Sequence, residues 1–170
     1  MSKRRINKVA VVGSGIMGSA IACHFANIGV EVLLLDIIPQ ELTDKETAKG
    51  LTLEDTVVRN RLVNQALASS IKSKPAPLYN DVFSKRFTTV NVDDEIAKVA
   101  SVDWIIEVVI ERLDIKQKVF ENLEKHRTPG TLITSNTSGI PIGFMSEGRS
   151  EDFQANFCGT HFFNPPRYLK

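Results

Sequence analysis

The sequence predicts an α/β fold of the doubly wound type, in which a mainly parallel sheet lies between two layers of helices. Short runs of β-branched and aliphatic residues alternate along the chain with stretches of helical periodicity, which is the pattern of βαβ units. The runs are apolar throughout, as is typical of strands buried on both faces of a parallel sheet. The first two runs flank a helical stretch and complete a βαβ unit of about thirty residues.

The six expected strands are KVAVVG, VEVLLLD, RFTTV, WIIEVVI, the apolar part of PGTLITSNTSG, and FCGTHFF. The helix SGIMGSAIACHFANIG lies between the first two strands, and Gly29 is suited to end it. Further helices are expected over DDEIAKVA, over LDIKQKVFENLEKH and around Ile142 to Met145. For this succession the doubly wound fold predicts the strand order 3-2-1-4-5-6.

Residues 40–77 interrupt the alternation of strands and helices. The segment contains the polar, charged and roughly helical stretch LTLEDTVVRNRLVNQALASSIKSK, and its end falls within the proline-rich KPAPLYN. We therefore expect one domain over residues 1–170, with a helical arm inserted after the second strand.

Composition excludes several classes of function. Hydrophobic residues make up 42% of the chain, and the net charge of +1 gives no reason to expect a nucleic acid or an anionic membrane as partner. No apolar run approaches the roughly 20 residues that a membrane span requires. The two cysteines, Cys23 and Cys158, match no metal or redox spacing, so no metal is expected and a reducing compartment is favoured. The expected location is the cytoplasm.

The stretch GSGIMG joins the first strand to the first helix and carries Gly13, Gly15 and Gly18 around Ile16 and Met17. Alone, this glycine spacing is weak evidence, but here a strand precedes it and a helix follows. In that context the glycines allow a tight turn, a close approach of a pyrophosphate to the backbone, and close packing of the helix on the sheet. The first turn of the helix then offers free N–H groups to phosphates. These features predict a Rossmann-type dinucleotide site.

Asp36 ends the second strand, 18 residues after Gly18. A carboxylate at this place binds the ribose hydroxyls of adenosine and repels a 2′-phosphate. The next residues are Ile37 and Ile38, so no arginine is present to hold that phosphate. NAD is therefore expected in preference to NADP.

Polar residues follow the later strands, whose carboxyl ends should line the nicotinamide side of the site. The fourth strand ends near Glu107 to Glu111, the fifth runs into Ser138, and the sixth is expected to carry His161 and Asn164. A histidine is a natural acceptor for the proton of a hydroxyl that is oxidised, and a serine or asparagine can orient that oxygen. Spacing alone leaves a catalytic and a structural His161 equally open.

The blocks VAVVGSGIMGSAIA, LLLDI, IIEVVIE, SNTSGI and GTHFFNPPRYLK together resemble the NAD-binding domain of L-3-hydroxyacyl-CoA dehydrogenases of fatty acid β-oxidation. The resemblance covers essentially the whole chain, and SNTS and HFFNP are more specific than the glycine motif. The sequence around GLTLEDTVVRNRL, KPAPL and EGRSEDF is most similar to that of bifunctional members, which also contain an enoyl-CoA hydratase part.

The resemblance implies NAD as cofactor, a 3-hydroxyacyl-CoA as substrate and a role for each matching residue. His161 matches the catalytic base, Ser138 the serine that contacts substrate and nicotinamide, and Asn164 the asparagine near the nicotinamide that holds the reacting oxygen. Glu111 and Lys116 match residues that contact the cofactor. The helical arm matches one that helps to cover the CoA moiety, although no CoA-contacting residue can be assigned.

The resemblance also implies parts that lie outside the 170 residues. The family pairs its histidine with a glutamate about twelve residues later, which orients the imidazole, and the chain continues for nine residues after His161. The family's helical C-terminal domain, which forms its usual homodimer, is likewise absent from this chain. We therefore expect a fragment that binds NADH with little turnover.

Two alternatives remain. A non-catalytic relative, structural or NAD-sensing, would have no use for His161, Ser138 and Asn164 together. A 3-hydroxyacid dehydrogenase with a lysine base would lack the HFFNP block and carry a lysine on a later helix.

Overall fold

A computed structural model of the chain describes residues 4–166 and places six parallel strands in one sheet. The strands are β1 Lys8–Val12, β2 Glu31–Asp36, β3 Phe87–Asn91, β4 Trp104–Glu107, β5 Leu132–Ser135 and β6 Phe157–Gly159. Their order across the sheet is β3-β2-β1-β4-β5-β6, which confirms the predicted order.

Eight α-helices and two short 3₁₀ helices are found among the described residues. The α-helices are α1 Ile16–Asn27, α2 Asp44–Ala48, α3 Thr56–Arg59, α4 Arg61–Ile71, α5 Val92–Glu95, α6 Leu113–His126, α7 Ile142–Ser146 and α8 Glu151–Ala155, and the 3₁₀ helices cover Asp81–Arg86 and Ile96–Ser101. Helix α1 ends at Asn27, and Gly29 follows with φ +93°, a conformation suited to glycine. None of the helices within residues 4–166 combines the length and the apolar character that a membrane crossing requires.

The sheet is covered on both faces because successive side chains of each strand point to opposite sides. Val9 and Val11 of β1 belong to a core that includes the buried residues of α1 and α4. Ala10 and Val12 belong to a second core, which includes Phe120 of α6. Two cores on one sheet confirm the doubly wound architecture.

Helices α2, α3 and α4 lie between β2 and β3, in the region where the helical arm was predicted. Val63 and Leu67 of α4 are buried against the core that α1 forms with the sheet. The guanidinium of Arg59 in α3 donates two hydrogen bonds of 2.6 Å to the carboxylate of Asp94 in α5. This ion pair ties the arm to the segment that follows β3.

Two strands are shorter than the sequence predicted, and both corrections affect the site. Strand β4 ends at Glu107 because the Glu107 Oε1 atom accepts a hydrogen bond of 2.7 Å from the Val109 N–H and turns the chain. Strand β6 ends at Gly159, so the prediction that it carries His161 and Asn164 is wrong. His161 and Asn164 lie in the segment that follows β6 and leaves the sheet beside β5.

Candidate active site

The three glycines of the loop between β1 and α1 have different surroundings. A methyl group on Gly18 would lie 1.8 Å from the carbonyl oxygen of Gly13, so α1 approaches the loop as closely as only glycine allows. Gly13 has φ +104°, and a methyl group there would lie 2.7 Å from the Val108 carbonyl oxygen. Nothing lies within 4 Å of the corresponding position at Gly15. The open space at Gly15 is therefore where a ligand can reach the backbone.

The first turn of α1 faces this open space. No side chain caps the helix, so its first N–H groups are left for a ligand. Ile16 is 83% exposed at the start of the helix, and Met17 packs partly against the core. This arrangement fits a pyrophosphate, whose oxygens accept hydrogen bonds from the free N–H groups.

The carboxylate of Asp36 organises the same loop from the end of β2. Its Oδ2 atom accepts hydrogen bonds from the N–H of Ser14, at 2.8 Å, and from the Ser14 hydroxyl, while Oδ1 accepts from the N–H of Ile37 at 2.8 Å. A pocket of about 170 Å³ opens beside it, with Gly13, Asp36 and Ile37 on one side and Val119 and Leu123 among its apolar walls. The pocket and the carboxylate together suit the adenosine of a dinucleotide.

Glu111 holds the segment after β5 that carries Ser138. Its Oε1 atom accepts hydrogen bonds from the N–H groups of Ser138 and Gly139, at 3.1 and 3.0 Å, and from the Thr137 hydroxyl. Burial alone would raise the pKa of Glu111, but these hydrogen bonds and the charge of Lys116 lower it to about 2. Glu111 is therefore a carboxylate near neutral pH, and it acts on the serine loop.

His161 reaches this loop from the segment after β6. Its Nε2 atom lies 2.8 Å from the Ser138 hydroxyl oxygen, and its ring stands edge-on to Phe163, with centroids 5.0 Å apart. The neighbouring Phe162 points the other way: its N–H donates to the Asn136 side chain at 2.8 Å, and its ring packs on Phe25 of α1. The partial burial of Phe162 thus leaves His161 exposed beside Ser138.

A cleft of about 620 Å³ lies beside the contact between the helical arm and α1. Its walls include small residues of α1 and α4, the segment around Lys74 and Pro75, and Asn164 with the two prolines that follow it. Gly15 and Asn164 line the same cleft, so the structure brings this asparagine to the glycine loop. The lining consists mainly of small residues and prolines.

Lys116 lies deeper than the other predicted cofactor contacts. Its side chain has no exposed surface, and its Nζ atom lies 2.8 Å from Glu107 Oε1 and 3.5 Å from Glu111 Oε2. Lys116 therefore lies beneath the surface of the site and behind Glu111, and its contact with the cofactor stays a prediction.

Four residues that support the predicted site residues were not assigned from the sequence: Ser14, Glu107, Asn136 and Thr137. Asn136 and Thr137 lie inside the SNTS block, so their position in the sequence could have indicated their supporting role. Ser14 lies inside the glycine motif and Glu107 at the predicted end of the fourth strand, but the sequence does not show the tertiary hydrogen bonds through which they act. No group of three or more metal-binding side chains is found within residues 4–166.

The sequence matches a known protein family. The sequence profile of the family described as "3-hydroxyacyl-CoA dehydrogenase, NAD binding domain" matches residues 8–170. A probable 3-hydroxyacyl-CoA dehydrogenase of Bacillus subtilis (strain 168) is 53% identical over 98% of this chain, and another from Deinococcus radiodurans is 42% identical over 97%. The chain spans only 21% and 44% of the length of these two relatives.

Solved structures agree with the sequence comparison. The crystal structure of 3-hydroxybutyryl-CoA dehydrogenase from Escherichia coli K12 superimposes with a TM-score of 0.67 and is 30% identical, covering 98% of this chain and 31% of that one. The six-stranded sheet and the glycine loop are thus found in a chain that matches known dehydrogenases in both sequence and fold.

Proposed function

Because the chain belongs to the 3-hydroxyacyl-CoA dehydrogenase family, as its NAD-binding domain, we propose that the protein containing it oxidises L-3-hydroxyacyl-CoA to 3-oxoacyl-CoA in fatty acid β-oxidation. The observation that supports this proposal best is the contact of 2.8 Å between His161 Nε2 and the Ser138 hydroxyl, at the edge of the sheet that also bears the glycine loop. A base and a hydroxyl at that edge suit the oxidation of an alcohol.

Each residue has a defined part in the reaction. NAD, when bound, supplies the acceptor for the hydride that leaves the hydroxyl-bearing carbon. His161 takes the hydroxyl proton on Nε2, so that the carbon and its oxygen become a ketone. Ser138 orients the same oxygen by a hydrogen bond, and the amide of Asn164 donates to it as negative charge develops.

The cleft between α1 and the arm supports the proposed substrate class. We assign to it the pantetheine part of the acyl-CoA, whose long, flexible chain suits a space of about 620 Å³ lined mainly by small residues and prolines. Lys74 lines the cleft and supplies a positive charge for a CoA phosphate. Cytoplasmic location and a homodimer of the whole protein stay predictions.

The 170-residue chain itself should bind NADH but turn over slowly. Within residues 4–166 the imidazole of His161 has one hydrogen-bond partner, Ser138, and its second ring nitrogen is not oriented by a carboxylate. A base whose ring is held at one nitrogen only is less well positioned for proton transfer.

The test uses the full-length protein with acetoacetyl-CoA and NADH. We expect His161→Asn to lower kcat by about a thousandfold while the Kd for NADH stays within about twofold, since the base acts on substrate only. His126→Asn is the matched control, because His126 lies at the end of α6 and bonds to its own helix at Asn122. Retained activity in His161→Asn would refute the base assignment. NADH binding without any turnover by the unmodified full-length protein would favour the NAD-sensing alternative.

A further inference from the structure

Glu107 and Lys116 form the most deeply buried ion pair among the described residues. Both side chains are 0% exposed, whereas every other ion pair within residues 4–166 has at least one partner with exposed surface. Burying two charges is costly, and an apolar pair of the same volume is often as stable or more stable. A contribution to stability alone therefore does not explain why this ion pair is present.

The hydrogen bonds of Glu107 connect the ends of two strands. Its Oε1 atom accepts from Lys116 Nζ at 2.8 Å and from the Val109 N–H at 2.7 Å. Its Oε2 atom accepts from Lys116 Nζ at 3.0 Å and from the Ser135 hydroxyl. The backbone carbonyl of Glu107 accepts from the Asn136 N–H at 2.8 Å. One residue thus holds the beginning of the loop after β4 and the beginning of the loop after β5.

Those two loops carry the groups of the proposed site. The loop after β4 leads to Glu111, whose Oε2 atom lies 3.5 Å from Lys116 Nζ. Glu111 in turn accepts from the Ser138 N–H, and the Ser138 hydroxyl lies 2.8 Å from His161. Contacts therefore run without a break from the buried pair to the proposed base.

We propose that Glu107 and Lys116 are positioning residues, which set the spacing of Glu111 and Ser138 at the nicotinamide side of the site. Directional, fully buried hydrogen bonds suit this task, because a site is held to its productive geometry only when the residues behind it are themselves locked. The inference rests on the proposed function, since it assumes that these loops meet the dinucleotide.

The test compares two double variants of the 170-residue chain. Glu107→Gln with Lys116→Met removes both charges, so that neither is left buried without its partner. The matched control, Arg127→Met with Asp152→Asn, removes a pair whose arginine is 3% exposed and which joins α6 to α8 away from the glycine loop. Each variant is examined by thermal unfolding, by fluorescence titration with NADH, and by the amide NMR signals of Ser138 and Gly139.

We expect the Glu107/Lys116 double variant to fold, to bind NADH about tenfold more weakly and to shift the Ser138 and Gly139 signals. The control should change the melting temperature but leave the Kd within about twofold. A folded Glu107/Lys116 variant with unchanged Kd and unchanged signals would overturn the proposal.

If that double variant does not fold, the Ser135→Ala variant tests the proposal in its place, because it removes one hydrogen bond of Glu107 and no charge. A Kd raised about threefold supports the proposal, and an unchanged Kd overturns it. Failure of the unmodified chain to bind NADH would instead count against the proposed function.

Discussion

At the scale of single residues, the glycines of the loop between β1 and α1 serve two purposes. One is required by the packing of the fold, and another leaves space for a ligand. Gly18 has the Gly13 carbonyl oxygen where its own methyl group would be, so its lack of a side chain serves the packing of α1. Gly15 has open space at the same position, so its lack of a side chain leaves room for something outside the protein. Two glycines in one motif therefore act through different physical effects.

This difference gives the first prediction. Gly18→Ala should destabilise the chain by about 3 kcal/mol, because the backbone must move to admit the methyl group. Gly15→Ala should cost about 1 kcal/mol or less in stability but weaken NADH binding by more than about tenfold, because the methyl group occupies the place of the pyrophosphate. Thermal unfolding and fluorescence titration measure the two effects, and equal losses of stability would contradict this account of the loop.

Glu111 gives a prediction about pH. Its pKa is lowered from 4.5 to about 2 in the folded chain, so the unfolded chain binds more protons between these values. The stability that Glu111 contributes is therefore complete above about pH 4.5 and is lost as the pH falls to about 2. Because its side chain is 44% exposed, solvent screening limits the contribution to about 1 kcal/mol.

Urea unfolding of the unmodified chain and of Glu111→Gln checks this from pH 6 down to pH 2. The difference between their free energies of unfolding should shrink as the pH falls through that window. A difference that stays constant with pH would show that the Glu111 carboxylate is not held as described.

At the scale of elements, the arm is attached to the sheet by apolar packing of α4 on α1. Leu67 is 9% exposed at this interface, whereas Leu53, between α2 and α3, is 38% exposed. Since the pocket beside Asp36 contains no residue of the arm, loosening the arm should leave adenosine binding intact.

Leu67→Ala should therefore lower the free energy of unfolding by about 3 kcal/mol through the cavity that it leaves. NADH affinity should change by less than about threefold. Leu53→Ala is the matched control, with an expected loss below about 1 kcal/mol. Urea unfolding and NADH titration separate these effects, and a large loss of NADH affinity in folded Leu67→Ala would show that the arm shapes the cofactor site.

The helices and strands could be predicted where the hydropathy pattern indicates them. Their ends could be predicted less well where a side-chain hydrogen bond determines the end. The strand order and the span of α6 are confirmed. Hydropathy could not show the end of β4, because the apolar run continues past Glu107 and the turn depends on its buried carboxylate. Helix α8 was missed although Ser150 caps it and acidic residues follow, which is a readable signal.

The candidate site follows the same rule. The sequence could predict that Gly13, Gly15, Gly18 and Asp36 lie around one loop, because they belong to one βαβ unit. The buried position of Lys116 could not be predicted, since it depends on the meeting of β4 and α6. Short motifs thus predict which residues of one unit lie together better than they predict which residues of other elements support them.

At the scale of the whole molecule, parallel strand order collects the site at one edge of the sheet. The loops after β1, β2, β4, β5 and β6 bring together the free helix N-terminus, Asp36, Glu111, Ser138 and His161, although these residues span most of the chain. The dinucleotide is expected along this edge, with its adenosine beside Asp36 and its nicotinamide beside Ser138. The central claim is that this edge is an NAD site.

Fluorescence titration of the 170-residue chain with NADH and, separately, with NADPH tests that claim most directly. We expect saturable binding of NADH and an affinity for NADPH that is at least about tenfold weaker, because the Asp36 carboxylate opposes a 2′-phosphate. Absence of NADH binding by the folded chain, or equal affinity for the two dinucleotides, would contradict it.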